Sequence, residues 1–173
     1  SMALKKNVLI GILIVFPLLA LGGLFYTLHL KNQLPTDITN KEKAPLEFKD
    51  NTVQCPQCHM YLVGKKYTAQ IITKELKTHF FDDIGCAILW LKEHKIEPKE
   101  ITFWVFSNDT NRYIDALKAT YSITDTTPMH YGFGAYENAN AKEGMIDFNE
   151  MRLRMLRGET ISDPKIKQQL KGH

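Results

Sequence analysis

Cysteine is scarce in this sequence, with three among 173 residues, and an odd number cannot all pair with one another. A fold that depends on a dense disulfide framework is therefore excluded. Positive charge is also limited: the net charge is +3 and no cluster of six or more basic residues occurs, which argues against nucleic acid as a partner. Hydrophobic residues make up 44%, which is neither collagen-like nor disordered and leaves room for about one domain.

Charged residues are absent from residues 8–28, where sixteen of 21 positions are apolar. That length matches one bilayer-spanning helix. The stretch contains no cysteine for lipidation and is longer than the apolar core of a cleaved signal. We therefore expect residues 1–30 to form an uncleaved membrane anchor. Lys5 and Lys6 favour a cytoplasmic N-terminus, which predicts an inner-membrane protein with its domain in the periplasm.

The remaining charge is unevenly distributed along the chain. Residues 31–50 are polar, contain Pro35 and Pro45, and are predicted to be a tether. A domain is predicted over residues 51–160, and residues 45–151 hold eleven basic and fifteen acidic residues. Residues 152–173 hold six basic and two acidic residues, so residues 161–173 are predicted to be a basic tail. The net charge of the whole chain therefore describes none of its parts.

Short β-branched and aromatic runs alternate with helical patterns in the domain. Residues 67–73 and 78–81 predict a hairpin, and residues 101–106 predict another strand. Asp83 is predicted to cap a buried helix, with its apolar residues at helical spacing: Ile84, Ala87, Ile88 and Leu91. A second helix is predicted after Asp109 or Thr110, and a third over residues 148–157, where Met151 and Met155 have core spacing. The pattern predicts an α+β domain.

The two halves of the domain share a weak internal repeat. Met60 is followed about twenty residues later by Asp82-Asp83 and a helix, and Met129 is followed at a similar distance by Asp147 and a helix. We therefore expect two related strand-strand-helix halves with small antiparallel sheets, preceded by one transmembrane helix.

The segment CPQCHM (residues 55–60) is the strongest candidate for chemistry. Cys58 and Met60 flank one residue, and a thiolate with a thioether suits Cu(I) better than zinc or a hard cation. C-x-x-C-H is also the c-type haem attachment motif, with His59 as axial ligand and Met129 as its partner. A redox dithiol is a third reading, although that motif normally begins a helix, and the residues that follow here resemble a strand.

A second segment, TPMHYGFG (residues 127–134), is rich in proline and glycine and presents Met129. A methionine in such a loop has less reason to fill the core than one on a helix. His130 follows Met129, just as His59 precedes Met60, so an imidazole accompanies each loop methionine. The copper interpretation therefore gains a second source of soft ligands.

In order and spacing, the segments CPQCHMY, HFFDDIGC and TPMHYGFGAY resemble the NosL family, the accessory proteins of nitrous oxide reductase maturation. The resemblance covers roughly residues 53 to 150 and also includes the predicted helix at Asp115-Ala116. It implies a Cu(I)-binding envelope protein that supplies the copper-sulfide site of nitrous oxide reductase together with an ABC-transporter complex. It also implies two related strand-strand-helix halves, similar to the metal-binding part of organomercurial lyase.

The resemblance places Cys58 and Met60 at the C-x-M position of the family and Met129 at its T-P-M position. Here His59 stands where the family commonly has glycine, and a membrane helix stands where many members carry a lipid. Other candidate ligands are Cys55, His59, His130 and Cys86. Cys55 is either a ligand or the disulfide partner of Cys58, and Cys86 is either a buried apolar residue or a ligand.

Asp82 and Asp83 are expected to cap the helix, and an aspartate there could also orient a ligand histidine. The function predicted from the sequence is therefore a membrane-anchored periplasmic Cu(I) metallochaperone without catalysis of its own. The alternative is a membrane-anchored c-type cytochrome with haem attached at Cys55 and Cys58.

Overall fold

The computed structural model describes residues 1–171, which form two compact units, the first ending at Leu34 and the second beginning at Pro35. The first unit is one helix, α1 (Met2–Lys31), in which no residue is buried. It continues through Pro17 and is long and apolar enough to cross a membrane. Apolar side chains occur all around it, as expected for a helix surrounded by lipid.

The larger sheet of the second unit has four antiparallel strands in the order β2-β1-β3-β4. They are β1 (Ala69–Ile72), β2 (Thr78–Phe81), β3 (Thr102–Phe106) and β4 (Tyr113–Asp115). The predicted hairpin is confirmed, since Ala69 pairs with Phe81 and Ile72 with Thr78. The predicted strand at residues 101–106 is confirmed as β3, in which buried and partly buried residues alternate.

The described residues of the second unit also form a smaller sheet and three α-helices. The sheet pairs β5 (Thr120–Ser122) with β6 (Gly134–Tyr136), and the helices are α2 (Ile84–Glu93), α3 (Phe148–Arg157) and α4 (Pro164–Lys171). The α+β class with small antiparallel sheets is therefore confirmed. The two predicted strand-strand-helix halves are β1-β2-α2 and β5-β6-α3. Strands β3 and β4 extend the sheet of the first half.

The prediction of a helix after Asp109 or Thr110 is wrong. Those residues lie in a turn, and Tyr113 pairs with Phe106 at the start of β4. The residues whose apolar spacing suggested a helix form an edge strand followed by a turn at Asp115. In this turn the Asp115 carboxylate accepts a hydrogen bond from the Leu117 N–H at 2.9 Å. Pairing with the already formed β3 outweighs a weak helical pattern in such a short segment.

The core lies between the helices and the sheets. Phe80, Phe81 and Tyr121 are fully buried, and Met151 and Met155 of α3 are buried as the sequence predicted. Tyr121 donates its hydroxyl hydrogen to the Ala116 carbonyl at 2.7 Å, so this buried phenol is satisfied. The predicted cap is confirmed, since Asp83 begins α2; Asp147 caps α3, and α3 ends at Gly158 with φ 72°.

The segment predicted as a tether makes contacts with the larger sheet that the sequence did not predict. Asn40 is buried, and its backbone N–H donates to the Leu76 carbonyl at 2.8 Å. The Gln70 side chain forms a pair of hydrogen bonds with the Leu46 backbone at 2.8 and 2.9 Å. Residues 40–46 therefore follow the β1-β2 hairpin closely.

A stack of three rings on β2, on α2 and at the residue that follows α2 predicts a pH-dependent stability. His79 packs on Trp90 with ring centroids 4.8 Å apart, and Trp90 stacks on His94 at 4.2 Å. Burial lowers the pKa of His79, and the nearby His94 lowers it further. Because the unfolded chain then binds more protons, the free energy of unfolding should fall as the pH drops from about 6.5 toward the folded pKa.

Chemical denaturation between pH 8 and pH 5 checks this expectation. His79→Phe keeps an aromatic ring against Trp90 but does not titrate, so it should show a shallower loss of stability over the same interval. If the free energy of unfolding fell equally steeply with pH in the wild type and in His79→Phe, protonation of His79 would not be the cause.

Candidate metal centre

The CPQCHM segment forms the tip of a narrow hairpin. Cys55 donates its N–H to the Met60 carbonyl at 2.8 Å, and His59 donates its N–H to the Cys55 carbonyl at 2.9 Å. Below the tip, the Leu62 N–H donates to the Val53 carbonyl at 3.0 Å, and both of these side chains are buried. The chain continues in extended form through a bridge at Tyr61, so the motif does not begin a helix as a redox dithiol normally does.

Four metal-binding side chains converge beneath this tip. The sulfurs of Cys55, Cys58 and Cys86 and a carboxylate oxygen of Asp82 all lie within 4.8 Å of one another. Cys55, Cys86 and Asp82 are buried, and Cys58 is partly buried. We call these four residues the thiol cluster. The cluster combines the hairpin tip, the end of β2 and the first turn of α2, and its donors can hold a metal ion.

Two adjacent aspartates attach both predicted loops to the start of α2. Asp82 accepts the thiol hydrogen of Cys58 at 3.2 Å. Asp83 accepts the Gly85 N–H at 3.0 Å as the helix cap, and its second oxygen accepts the Met129 N–H at 3.1 Å. The β2-α2 junction therefore holds the Cys58 loop with one residue and the Met129 loop with the next.

The local electrostatics differ among the three thiols. The hydrogen bond from Cys86 lowers the pKa of Cys55, although burial opposes it. The same hydrogen bond, together with burial, raises the pKa of Cys86. Burial raises the pKa of Cys58 to about 12, and its hydrogen bond to Asp82 contributes. Cys55 is therefore the thiol most easily deprotonated, and a cation is needed before all three ionise together.

The Met129 loop is fixed by Asp125. This buried carboxylate accepts the Tyr136 hydroxyl at 2.7 Å and forms an ion pair with Lys142, while its backbone N–H donates to the Gly132 carbonyl at 3.0 Å. Gly134 lies directly against the Asp125 carboxylate, leaving no space for a Cβ atom. A glycine is therefore required at this close approach.

The predicted ligands occupy different environments. Cys58 lies in the thiol cluster, Met60 is 46% exposed beside it on the hairpin tip, and Met129 is partly buried against the core. Coordination by either methionine stays a prediction. His59 and His130 are exposed and have left-handed backbone conformations, with φ of 67° and 59°.

Among the secondary candidates, Cys55 and Cys86 are brought together with Cys58, and the structure records all three cysteines as free thiols. Asp82 was expected to cap a helix or orient a histidine, but it contacts Cys58 instead, and Asp83 alone provides the cap. The sequence did contain a signal for this second role of Asp82. Two consecutive aspartates precede α2, and a helix start uses only one cap residue, so the other aspartate is free to contact a different group.

The positions of Cys55 and His59 do not support the alternative of a c-type haem attached at Cys55 and Cys58. Covalent attachment at C-x-x-C-H requires the porphyrin to reach both cysteines. Cys55 is fully buried within the thiol cluster, whereas His59 is exposed. Cys55 therefore faces the protein core and not a surface where a porphyrin would lie.

No protein-family model and no curated protein matches the sequence. A solved structure similar to this chain is that of the copper chaperone NosL from Shewanella denitrificans, with a TM-score of 0.47 and 18% identity over 61% of this chain and 94% of that chain.

Proposed function

We propose that this chain is a membrane-anchored Cu(I) carrier that binds the ion at the thiol cluster and transfers it to an acceptor. The convergence of three thiols and one carboxylate within 4.8 Å supports this proposal most directly. Sulfur ligands favour Cu(I) over hard cations, and Cu(I) accepts two or three of them. The chain has no catalytic activity of its own in this proposal.

Cu(I) enters and leaves the thiol cluster through Cys58. Cys55 and Cys86 are fully buried, whereas Cys58 is partly exposed and is the cluster thiol nearest to Met60 in the sequence. Met60, at 46% exposure, offers a neutral thioether to an ion that is leaving the cluster. An acceptor can then replace the ligands one at a time, which keeps the ion bound throughout the transfer.

The Met129 loop provides a second thioether close to the same helix start. Its attachment to Asp83, next to Asp82, supports an arrangement in which Met129 approaches Cys58 from the opposite side of the β2-α2 junction. Thioethers do not titrate, so this part of the path stays available at low pH, where thiolates become protonated. We include Cys55, Cys58 and Cys86 in the holding site, and Cys58, Met60 and Met129 in the transfer path.

We infer the biological setting from the motif order and from α1. The helix anchors the chain in the inner membrane, with the domain in the periplasm. The NosL-like motifs support copper delivery toward the copper-sulfide site of nitrous oxide reductase, with its ABC-transporter complex as the partner. Delivery to a membrane complex agrees with a carrier that is itself anchored, because anchoring raises its effective concentration there.

Anaerobic competition with a coloured Cu(I) chelator tests the proposal on the full chain in detergent. The wild type should retain one Cu(I) per chain. Met60→Leu and Met129→Leu should each weaken equilibrium binding by about tenfold or less, because the thiols remain. Both variants should slow copper transfer to membranes that contain the reductase maturation complex.

Met145→Leu is the matched control, since Met145 is partly buried and lies outside both loops. It should bind and transfer copper as the wild type does. A wild-type chain that surrenders all copper to a weak chelator would contradict the proposal, and a Soret band that survives denaturation would support the haem alternative instead.

A further inference from the structure

Asp82 is a buried carboxylate with incomplete hydrogen bonding. It is 4% exposed, and one of its oxygens accepts the Cys58 thiol hydrogen at 3.2 Å. Its other oxygen, Oδ2, is buried and has no hydrogen-bond partner. Within residues 1–171, no basic side chain forms an ion pair with Asp82. An unpaired buried oxygen of this kind is costly unless a cation or another donor satisfies it.

Cu(I) bound by sulfur does not satisfy this oxygen. Cu(I) favours soft donors at low coordination number, so two or three thiolates complete its shell and leave the hard carboxylate unused. An ion that uses all four cluster groups must be thiophilic, must accept an oxygen ligand and must favour four-coordination. Divalent zinc has these properties, and its protein ligands include cysteine and aspartate.

We propose that Cys55, Cys58, Cys86 and Asp82 form a four-coordinate site of three sulfurs and one oxygen for a divalent thiophilic ion, represented by Zn²⁺. The inference depends on the same cluster as the proposed function but adds a second class of cargo. Zn²⁺ and Cu(I) would compete for the three thiols, so loading with one ion excludes the other.

The dimensions of the cluster agree with this assignment. In a tetrahedral zinc site with Zn–S bonds of about 2.3 Å, the sulfurs lie about 3.8 Å apart. The four cluster atoms lie within 4.8 Å of one another without an ion, so binding requires a contraction of at most about 1 Å. The hairpin tip carries two of the ligands and can make this movement as a unit.

The charge of the cluster also favours a divalent ion. Three thiolates and one carboxylate together carry four negative charges, and the basic side chains of the described residues do not pair with the carboxylate. A divalent cation compensates more of this buried charge than Cu(I) does. Asp82 is therefore the residue that distinguishes the two cargoes.

Co²⁺ titration of the reduced full chain in detergent, followed by Zn²⁺ displacement, tests the assignment. We expect the intense visible bands of four-coordinate cobalt, thiolate-to-cobalt charge transfer in the near ultraviolet, and loss of both when Zn²⁺ is added. Asp82→Asn should weaken Zn²⁺ binding by roughly tenfold or more while changing Cu(I) affinity by less than about threefold. Glu75→Gln removes an exposed carboxylate from the β1-β2 turn and should change neither affinity.

X-ray absorption at the zinc edge of the wild type gives a result that does not depend on the folding of a variant. It should show three sulfur ligands and one oxygen or nitrogen ligand. A shell without sulfur, wild-type Zn²⁺ affinity in Asp82→Asn, or an absence of Zn²⁺ binding in a chain that binds Cu(I) would each overturn this inference and leave the proposed function intact. Zn²⁺ binding as described without Cu(I) binding would overturn the proposed function alone.

Discussion

Cys58→Ser is expected to lower the Cu(I) affinity of the full chain by at least about a hundredfold, because it removes a direct ligand, and even an outer contact of a metal site is worth 10- to 100-fold. Cys58 joins the buried pair Cys55 and Cys86 to the exposed hairpin tip. A serine hydroxyl is a hard, neutral donor and cannot replace a thiolate on Cu(I). Anaerobic chelator competition measures the loss directly.

Serine at position 58 should leave the fold unchanged, because its hydroxyl can still donate to Asp82 as the thiol does. Gln57→Ala is the matched control: Gln57 lies on the same tip between the two cysteines, and its amide contacts Glu93 and not the cluster. The control should bind copper normally. Wild-type affinity in the serine variant, with a normal circular dichroism spectrum, would place the copper site elsewhere.

Gly134→Ala is expected to destabilise the domain by about 3 kcal/mol or more, because a Cβ atom at this position overlaps the Asp125 carboxylate. Asp125 would have to move away from Tyr136 and Lys142, which leaves a buried charge without its partners. The loop that carries Met129 begins at this carboxylate, so its position would change as well. Denaturant unfolding measures the loss of stability.

Gly144→Ala separates this steric effect from backbone strain. Gly144 has φ of 69° with no atom near its missing Cβ, so alanine there costs only about 1–2 kcal/mol for the left-handed conformation. Equal losses for the two variants would show that the close approach at Gly134 does not determine the stability of the loop.

The sequence predicted those elements whose signals are local and strong. The hairpin β1-β2, the strand β3, the helix α2 with its cap Asp83, and the helix α3 all follow from periodicity and cap chemistry. The role of β4 depends on pairing with β3, which periodicity over a few residues does not reveal. Contacts of residues 40–46 with the sheet likewise depend on long-range hydrogen bonds made by Asn40 and Gln70.

The site was predictable in part. The sequence predicted Cys58 as a ligand and gave Cys55 and Cys86 as secondary candidates, and the structure brings these three thiols together, but the sequence ranked the loop methionines above Cys55 and Cys86. Whether a cysteine in an apolar helix faces the core or a ligand site depends on which loop covers the helix start, and no local pattern contains that information. Asp82 was missed as a cluster member for the same reason, since its contact with Cys58 joins segments 24 residues apart.

The paired aspartates also determine where this chain tolerates changes in length. Asp82 must face the thiols while Asp83 begins α2, so the two residues between Phe81 and Ile84 are fixed in number as well as in type. An inserted or deleted residue here would rotate one carboxylate away from its loop. Related chains should therefore vary in length around the exposed turn at residues 138–144 and keep the β2-α2 junction constant.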